Sequence, residues 1–224
     1  MLIIIGEKGW PRLKARLVLL GLAIAMECLL LRLGFWQLAR GNEKQAQIES
    51  LQKALREKTP INLADASAQS KHYQWARGPV NFRNGIQLLL DNQRRNNQVG
   101  VIVYQLGNSA SGQAFLVELG WLPVNGARRF PQTTALHGVV SLEGLLLPPP
   151  SPGFAMGSGI AALETNRLLL TRLDMAGLAT YFKTPLAARV LRVDPANRIG
   201  YARDLYVLPN TLPPEKHRGY AAQW

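Results

Sequence analysis

His217, Tyr220 and Trp224 stand at i, i+3 and i+7 in a chain of 224 residues, a spacing that puts all three on one face of a helix. A neutral imidazole flanked by aromatics at a membrane interface suits an axial position on haem iron. The same pattern fits an aromatic interface belt in which His217 is simply polar. The other histidines, His72 and His137, have no second histidine or carboxylate at ligand spacing. They predict no metal site built within this chain. The single cysteine, Cys28, excludes an internal disulfide. It follows Glu27, where a lipidation site would want a small residue, and reads as an apolar filler. There is no phosphate-cradling glycine loop and no Gly-x-Ser-x-Gly elbow. Carboxylates are sparse, and none pair in a pattern suited to acid–base work. The residues point to a protein that binds rather than to an enzyme.

These side chains need elements to position them. Leu17 to Leu38 is an apolar run, and at ~1.5 Å per residue it is long enough for a ~30 Å hydrocarbon core. Arg32 can snorkel, and Trp36 suits an interface. Glu27 either contacts a partner helix or marks a shifted, shorter span. Residues 1–16 form a basic leader with Lys8, Arg12, Lys14 and Arg16, which predicts a cytoplasmic N-terminus and places residues 39–210 outside. Ala23-Ile24-Ala25 resembles a signal-peptide cleavage site, but the apolar run continues past it to Leu33, which favours an anchor.

From Arg40 to Lys58 strong helix formers dominate, and Ile48, Leu51 and Leu55 make a narrow apolar stripe before Pro60. This predicts a helix that prolongs the membrane span. Beyond His72 the pattern turns to strands: Tyr73–Phe82, Gly85–Asp91, Gly100–Leu106, Gln113–Trp121, Gly138–Leu146, Arg167–Leu173, Ala188–Val193 and Tyr201–Val207. Asn84-Gly85 predicts a hairpin between the first two, and residues 108–112 a second hairpin loop. A helix is expected over Asp174–Phe182, capped by Asp174 and ended by Lys183 and Pro185. Pro148 to Gly159 is a long loop. The expected fold class is α+β: a transmembrane helix, then a mostly antiparallel sheet or partly closed barrel with one or two helices.

The net charge of +12 divides into +3 for residues 1–38 and +9 for the rest. The basic residues are scattered, with Arg94-Arg95 and Arg128-Arg129 the only adjacent pairs, and no RNA-binding aromatic motif accompanies them. Anionic lipid beside the domain fits this surface better than nucleic acid does.

Three motifs carry a resemblance. The first is Leu33-Gly34-x-Trp36-Gln37-x-x-Arg40-x-x-x-Lys44. The second is Gly100-x-x-Val103-Tyr104-x-Leu106, followed by Phe115 to Pro123 with Gly120-Trp121 near its end. The third is Pro214-Glu-Lys-His217-x-x-Tyr220-Ala221-x-x-Trp224. In order and spacing the chain resembles the Surfeit-locus-one family of cytochrome c oxidase assembly proteins across nearly its whole length. The resemblance implies a bacterial inner-membrane protein with a β-rich periplasmic domain between two spans, the second beginning within residues 211–224. It implies a role in delivering or holding haem a for oxidase subunit I, together with the haem-insertion machinery, and it maps the haem-ligand candidate onto His217. The chain departs from the family pattern at Leu119, where the family carries Arg before Gly-Trp; Arg94 and Arg128 are candidate substitutes. It also reaches Trp224 where the second span should gain its apolar length, so the natural protein either continues or has one span without an intact haem site. The alternative expectation is a single-pass envelope scaffold whose basic β-domain binds a partner or lipid.

Overall fold

In the computed structural model of the chain, residues 10–70, 72–82, 85–126, 129–151, 159–205, 207 and 212–224 are described. Helix α1 spans Trp10–Glu57 and takes in both the apolar run and the polar stretch after it. Its apolar part is bare: Leu17, Val18, Leu19, Leu20, Leu22, Ile24 and Met26 are all exposed. Among the described residues this is the one helix long and apolar enough to cross a membrane. Such a surface is stable in hydrocarbon and unstable in water. The chain divides into two compact units, one formed by Met1–Ala46 with Leu208–Trp224 and the other by Gln47–Val207.

The second unit is built on a sheet. Its strands are β1 (Ile61–Asn62), β2 (Gln74–Phe82), β3 (Gln87–Arg95), β4 (Gln98–Ser109), β5 (Ala114–Pro123), β6 (Gly138–Leu147), β7 (Ile160–Glu164), β8 (Arg167–Leu170) and β9 (Leu186–Val193). They lie in the order β1-β2-β6-β9-β5-β4-β3-β8-β7. A further pairing of Val80 with Ser109 and Asn81 with Asn108 joins β2 to β4. That contact closes β2, β6, β9, β5 and β4 into a ring, and β3, β8 and β7 extend from it. The pairings are antiparallel except β1–β2, β3–β8 and β5–β9. Inside the ring lie Val80, Phe82, Val103, Val117, Leu119, Leu142, Leu146 and Leu191. Helix α2 (Met175–Phe182) seals a second cluster through Leu178. Its entry and exit are as the sequence predicts: the Asp174 carboxylate accepts from Gly177 N at 3.0 Å, and Lys183 takes the left-handed conformation.

The last turns of α1 pack on this sheet through Ala54, Leu51 and Leu55, which meet Trp75, Leu145 and Leu147. Leu51 and Leu55 belong to the apolar stripe expected from the sequence, and Ala54 rather than Ile48 completes this contact. Arg189, almost fully buried, donates to Gln74 Oε1 at 2.6 Å, His72 O at 2.5 Å and Leu146 O at 3.0 Å. Burial lowers its pKa to about 10, still well above neutrality.

Trp75 Nε1 donates to Glu143 Oε1 at 2.6 Å and Arg77 Nε to its Oε2 at 2.6 Å. The indole hydrogen bond, then Arg77, hold the Glu143 carboxyl below its ordinary value of 4.5. The folded form therefore prefers the ionised carboxylate more than the unfolded chain does. That stabilisation is complete above the ordinary carboxylate range and is lost as pH falls through the lowered folded pKa. Glu143→Gln should flatten the fall in thermal midpoint on acidification below pH about 4.5. A variant with the unaltered acid limb would assign the pH dependence to other groups.

Several sequence expectations are corrected. Asn84 lies outside the described residues, but β2 and β3 are not paired: β2 bonds β1, β6 and β4, while β3 bonds β4 and β8. The tight hairpin lies one strand later, at Asn96-Asn97, where both residues have positive φ (48° and 62°) between the paired Arg95 and Gln98. The hairpin loop over residues 108–112 forms as expected, with Ser109 N donating to Gln113 O at 3.0 Å. Among its described residues Tyr201–Val207 forms no strand; it makes one isolated β-bridge, Trp121 to Ala202, beside the hydrogen bond from Tyr201 N to Leu119 O. Arg203 explains why, since its side chain takes up nearby backbone carbonyls, as described below. Strands β1 and β7 were not expected. Of the long loop, residues 152–158 lie outside the described residues, as do Lys8, Arg128 and the Leu208-Pro209-Asn210 approach.

Candidate functional site

In the first unit, α3 (Pro214–Gln223) forms a ten-residue helix on the terminal motif, with Pro214 in its first turn. It packs on α1 in antiparallel sense. A Cβ added to Gly41 would stand 3.4 Å from His217 Cβ, and one added to Gly34 would stand 3.4 Å from Ala221 O and 3.9 Å from Trp224 Cβ. Both glycines are buried. They lie seven apart on α1, hence on one face, and their missing side chains let the two backbones approach. A side chain larger than alanine at Gly34 would push α3 away.

Between the glycines on that face is Gln37. Its Oε1 accepts from His217 Nδ1 at 2.7 Å. An amide oxygen can only accept, so Nδ1 carries the proton. In the neutral form of the ring the lone pair is then at Nε2, the nitrogen a metal would take. An acceptor behind the ring fixes the tautomer and ring orientation of histidine ligands generally. Among the described residues no group of three or more His, Cys, Asp or Glu side chains converges on a metal site. Nε2 is the atom through which His217 could hold a metal or cofactor.

The remaining predicted residues divide. Trp36 is 52% exposed and Trp224 49% exposed, placing two indoles on the outside of the same unit. Tyr220 is also exposed; the line facing α1 is Pro214, His217, Ala221 and Trp224, with Ala221 in the place expected of Tyr220. Arg40 pairs with Glu43 at 2.5 Å on the exposed surface, a contact worth little energetically. Lys44 is half-buried one turn beyond Gly41.

Gly120 and Trp121 belong to the other unit and have a structural task. Val103 pairs with Gly120 but Tyr104 with Glu118, so Leu119 is the extra residue of a β-bulge. Leu119 drops into the ring core. Gly120 has φ +122°, and a Cβ there would stand 2.7 Å from Tyr201 O. Trp121 Nε1 donates to Gln93 O at 2.9 Å. Arg94 stands in β3 opposite Val99, and Arg128 lies outside the described residues; among the described residues the arginine beside this turn is Arg203. Its guanidinium donates to the carbonyls of Val193 (2.9 Å), Asp194 (2.9 Å), Tyr201 (3.0 Å), Leu119 (3.3 Å) and Asn197. Sequence reasoning missed Arg203 because it lies 84 residues from Leu119. It also passed over Gly41, although the seven-residue spacing from Gly34 was a usable signal.

The contact between α1 and α3 and the bulge at Gly120 account for all three sequence motifs. A comparison with protein families matches residues 24–224 to the model described as the SURF1 family. No curated protein matched the chain. The match takes in the exposed helix, the whole β-rich unit and the His217 helix, and on that extent the chain belongs to the SURF1 family, whose members are associated with assembly of cytochrome c oxidase.

Proposed function

We propose that this chain is a membrane-anchored assembly factor that holds haem a for subunit I of cytochrome c oxidase, working beside the haem-insertion machinery, with His217 as the iron ligand. The proposal includes placement in a bacterial inner membrane, with the N-terminus cytoplasmic and the β-rich unit periplasmic; Lys14 and Arg16 before the apolar run support that orientation.

The observation that carries the reading is the hydrogen bond from His217 Nδ1 to Gln37 Oε1 at 2.7 Å. It orients an imidazole with Nε2 free to bind iron, on a helix fixed to the membrane anchor itself. Haem a is cargo here, and its iron supplies the coordination bond. The chain supplies one nitrogen, its orientation and an apolar helix at the same membrane. His217 is half-buried rather than enclosed. A ligand group open on one side exchanges readily, as transfer to a second protein requires.

Nothing in this reading is catalytic on the cargo, so the expected phenotype is a loss of assembly and not of haem synthesis. Deleting the gene should lower haem-a oxidase activity several-fold while total cellular haem a precursors stay unchanged. An unaltered oxidase activity and absorption spectrum in the deletion strain would refute the function.

A further inference from the structure

The β-rich unit carries an open cleft of about 310 Å³ between the segment at residues 131–137, Gly85 and the turn that joins β7 to β8. Its lining includes Gln87, Thr133, His137, Glu164, Asn166 and Arg167. The 131–137 wall has no strand of its own, and side chains from elsewhere in the unit hold it. Buried Gln87 donates to Thr134 O at 3.2 Å and accepts from Thr133 Oγ1 at 2.6 Å. Buried Gln105 donates to Leu136 O at 2.7 Å and accepts from Leu136 N at 2.9 Å. Tyr201 Oη accepts from Thr134 N at 3.0 Å. A buried amide is costly unless both its ends are bonded, so these contacts pin the wall to the sheet. Opposite it, His137 Cε1 stands 2.9 Å from where a Cβ on Gly85 would be, and Gly85 has φ +58°. Only glycine lets the imidazole lie there. The cleft is thus formed before any ligand enters.

Arg167 is the buried charge of the lining, 7% exposed. Its Nη1 donates to Glu164 Oε1 at 2.8 Å and Gln132 Oε1 at 3.4 Å, and its Nη2 to Pro131 O at 2.5 Å. These bonds leave N–H donors unspent, Nε among them. The Glu164 side chain is 54% exposed, and its Oε2 takes no hydrogen bond among the described residues. The side chains of His137, Thr165 and Asn166 are equally free. The cleft therefore presents a guanidinium with hydrogens to give beside a carboxylate oxygen ready to accept. A lone anion is repelled by Glu164 and a lone cation by Arg167. A sugar would want an aromatic platform, and no Trp, Tyr or Phe lines the cleft.

We infer that this cleft binds a small zwitterion, a free α-amino acid, with its carboxylate toward Arg167 and its ammonium on Glu164 Oε2. In such a head group the two charges stand on either side of one carbon, which matches two partners already in contact. The volume leaves room for a side chain of moderate size. His217 and haem have no part in this site.

Ligand-observed NMR on the full-length protein in detergent tests it with L-glutamine as the probe. L-Glutamine should saturate the cleft with a Kd of about 1 mM. Its N-acetyl derivative, which lacks the ammonium, and its α-amide, which lacks the carboxylate, should each bind about tenfold more weakly. Glu164→Gln should weaken L-glutamine about tenfold and strengthen the N-acetyl derivative, because Arg167 then favours a lone anion. Arg167→Ala would also release Pro131 and Gln132, so the second variant is Ala135→Phe, which fills the cleft and should abolish binding with the thermal midpoint kept. The absence of a saturable L-glutamine signal would overturn the assignment. So would equal binding of glucose, or L-glutamine binding untouched by Glu164→Gln or by Ala135→Phe.

Discussion

A His217→Ala protein purified from cells that make haem a is expected to carry haem at background level, while the unaltered protein carries a measurable fraction. The loss should be in the ligand alone. His217 is half-buried and its side chain bonds only Gln37 among the described residues, so alanine leaves the α1–α3 contact of Gly34 and Ala221 in place. Gln37→Leu is the more informative variant. It keeps the imidazole but frees the ring to rotate and change tautomer, which should weaken haem affinity about tenfold. Gln37→Glu restores an acceptor, now charged, which makes the imidazole a stronger donor to iron. It should regain the haem and shift the reduction potential of the bound group downward. Absorption spectra and a redox titration of the purified proteins separate the three. Equal haem content in His217→Ala and the unaltered protein would remove His217 from the iron.

The second large effect is on stability. Arg203→Ala should cost about 3 kcal/mol, lowering the thermal midpoint by roughly 10 °C. The guanidinium serves five backbone carbonyls, those of Leu119, Val193, Asp194, Asn197 and Tyr201. Two of these belong to the chain around the Gly120 bulge and its bridge partner, and two flank the end of β9. Alanine leaves partly buried acceptors without a donor and unties the turn at residues 194–203 from β5. Desolvation pulls the arginine pKa down, yet hydrogen bonding to the carbonyls outweighs that cost at neutral pH. Arg203→Lys should rescue little, because a single ammonium cannot reach carbonyls arrayed around a planar fork. A midpoint within about 2 °C of the unaltered protein would show that the turn holds without Arg203.

What could be read in advance follows from how local each signal is. The α1 helix, the Asp174 cap and most strand positions depend on residues a few places apart, and the sequence carries them. Asn84-Gly85 and Asn96-Asn97 show the limit. Both dipeptides tolerate positive φ, and which one turns a hairpin depends on whether β3 pairs with β2 or β4. That choice is made by the ring, where β9 slots between β5 and β6 and β2 reaches β4. The site shows the same division. The motif residues were visible, but the bond between Gln37 and His217 spans 180 residues. The helical pattern set His217 with Tyr220 and Trp224; only the packing on Gly34 and Gly41 shows that Ala221 takes the inward place. The Gly120-Trp121 motif read as a functional mark, and the structure gives it a bulge to hold.

The first unit draws on both extremes of the chain, Met1–Ala46 and Leu208–Trp224. A ribosome adding about 5–20 residues per second needs roughly 10–40 s to pass from Gln37 to His217. Throughout that interval the anchor is already present and its glycine-lined face is bare. His217 arrives only when the entire β-rich unit has been synthesised ahead of it. A chain that stalls or is clipped anywhere between lacks His217. On the proposed function, cargo loading would wait until synthesis has passed α3, so shorter molecules would not sequester a scarce and reactive pigment.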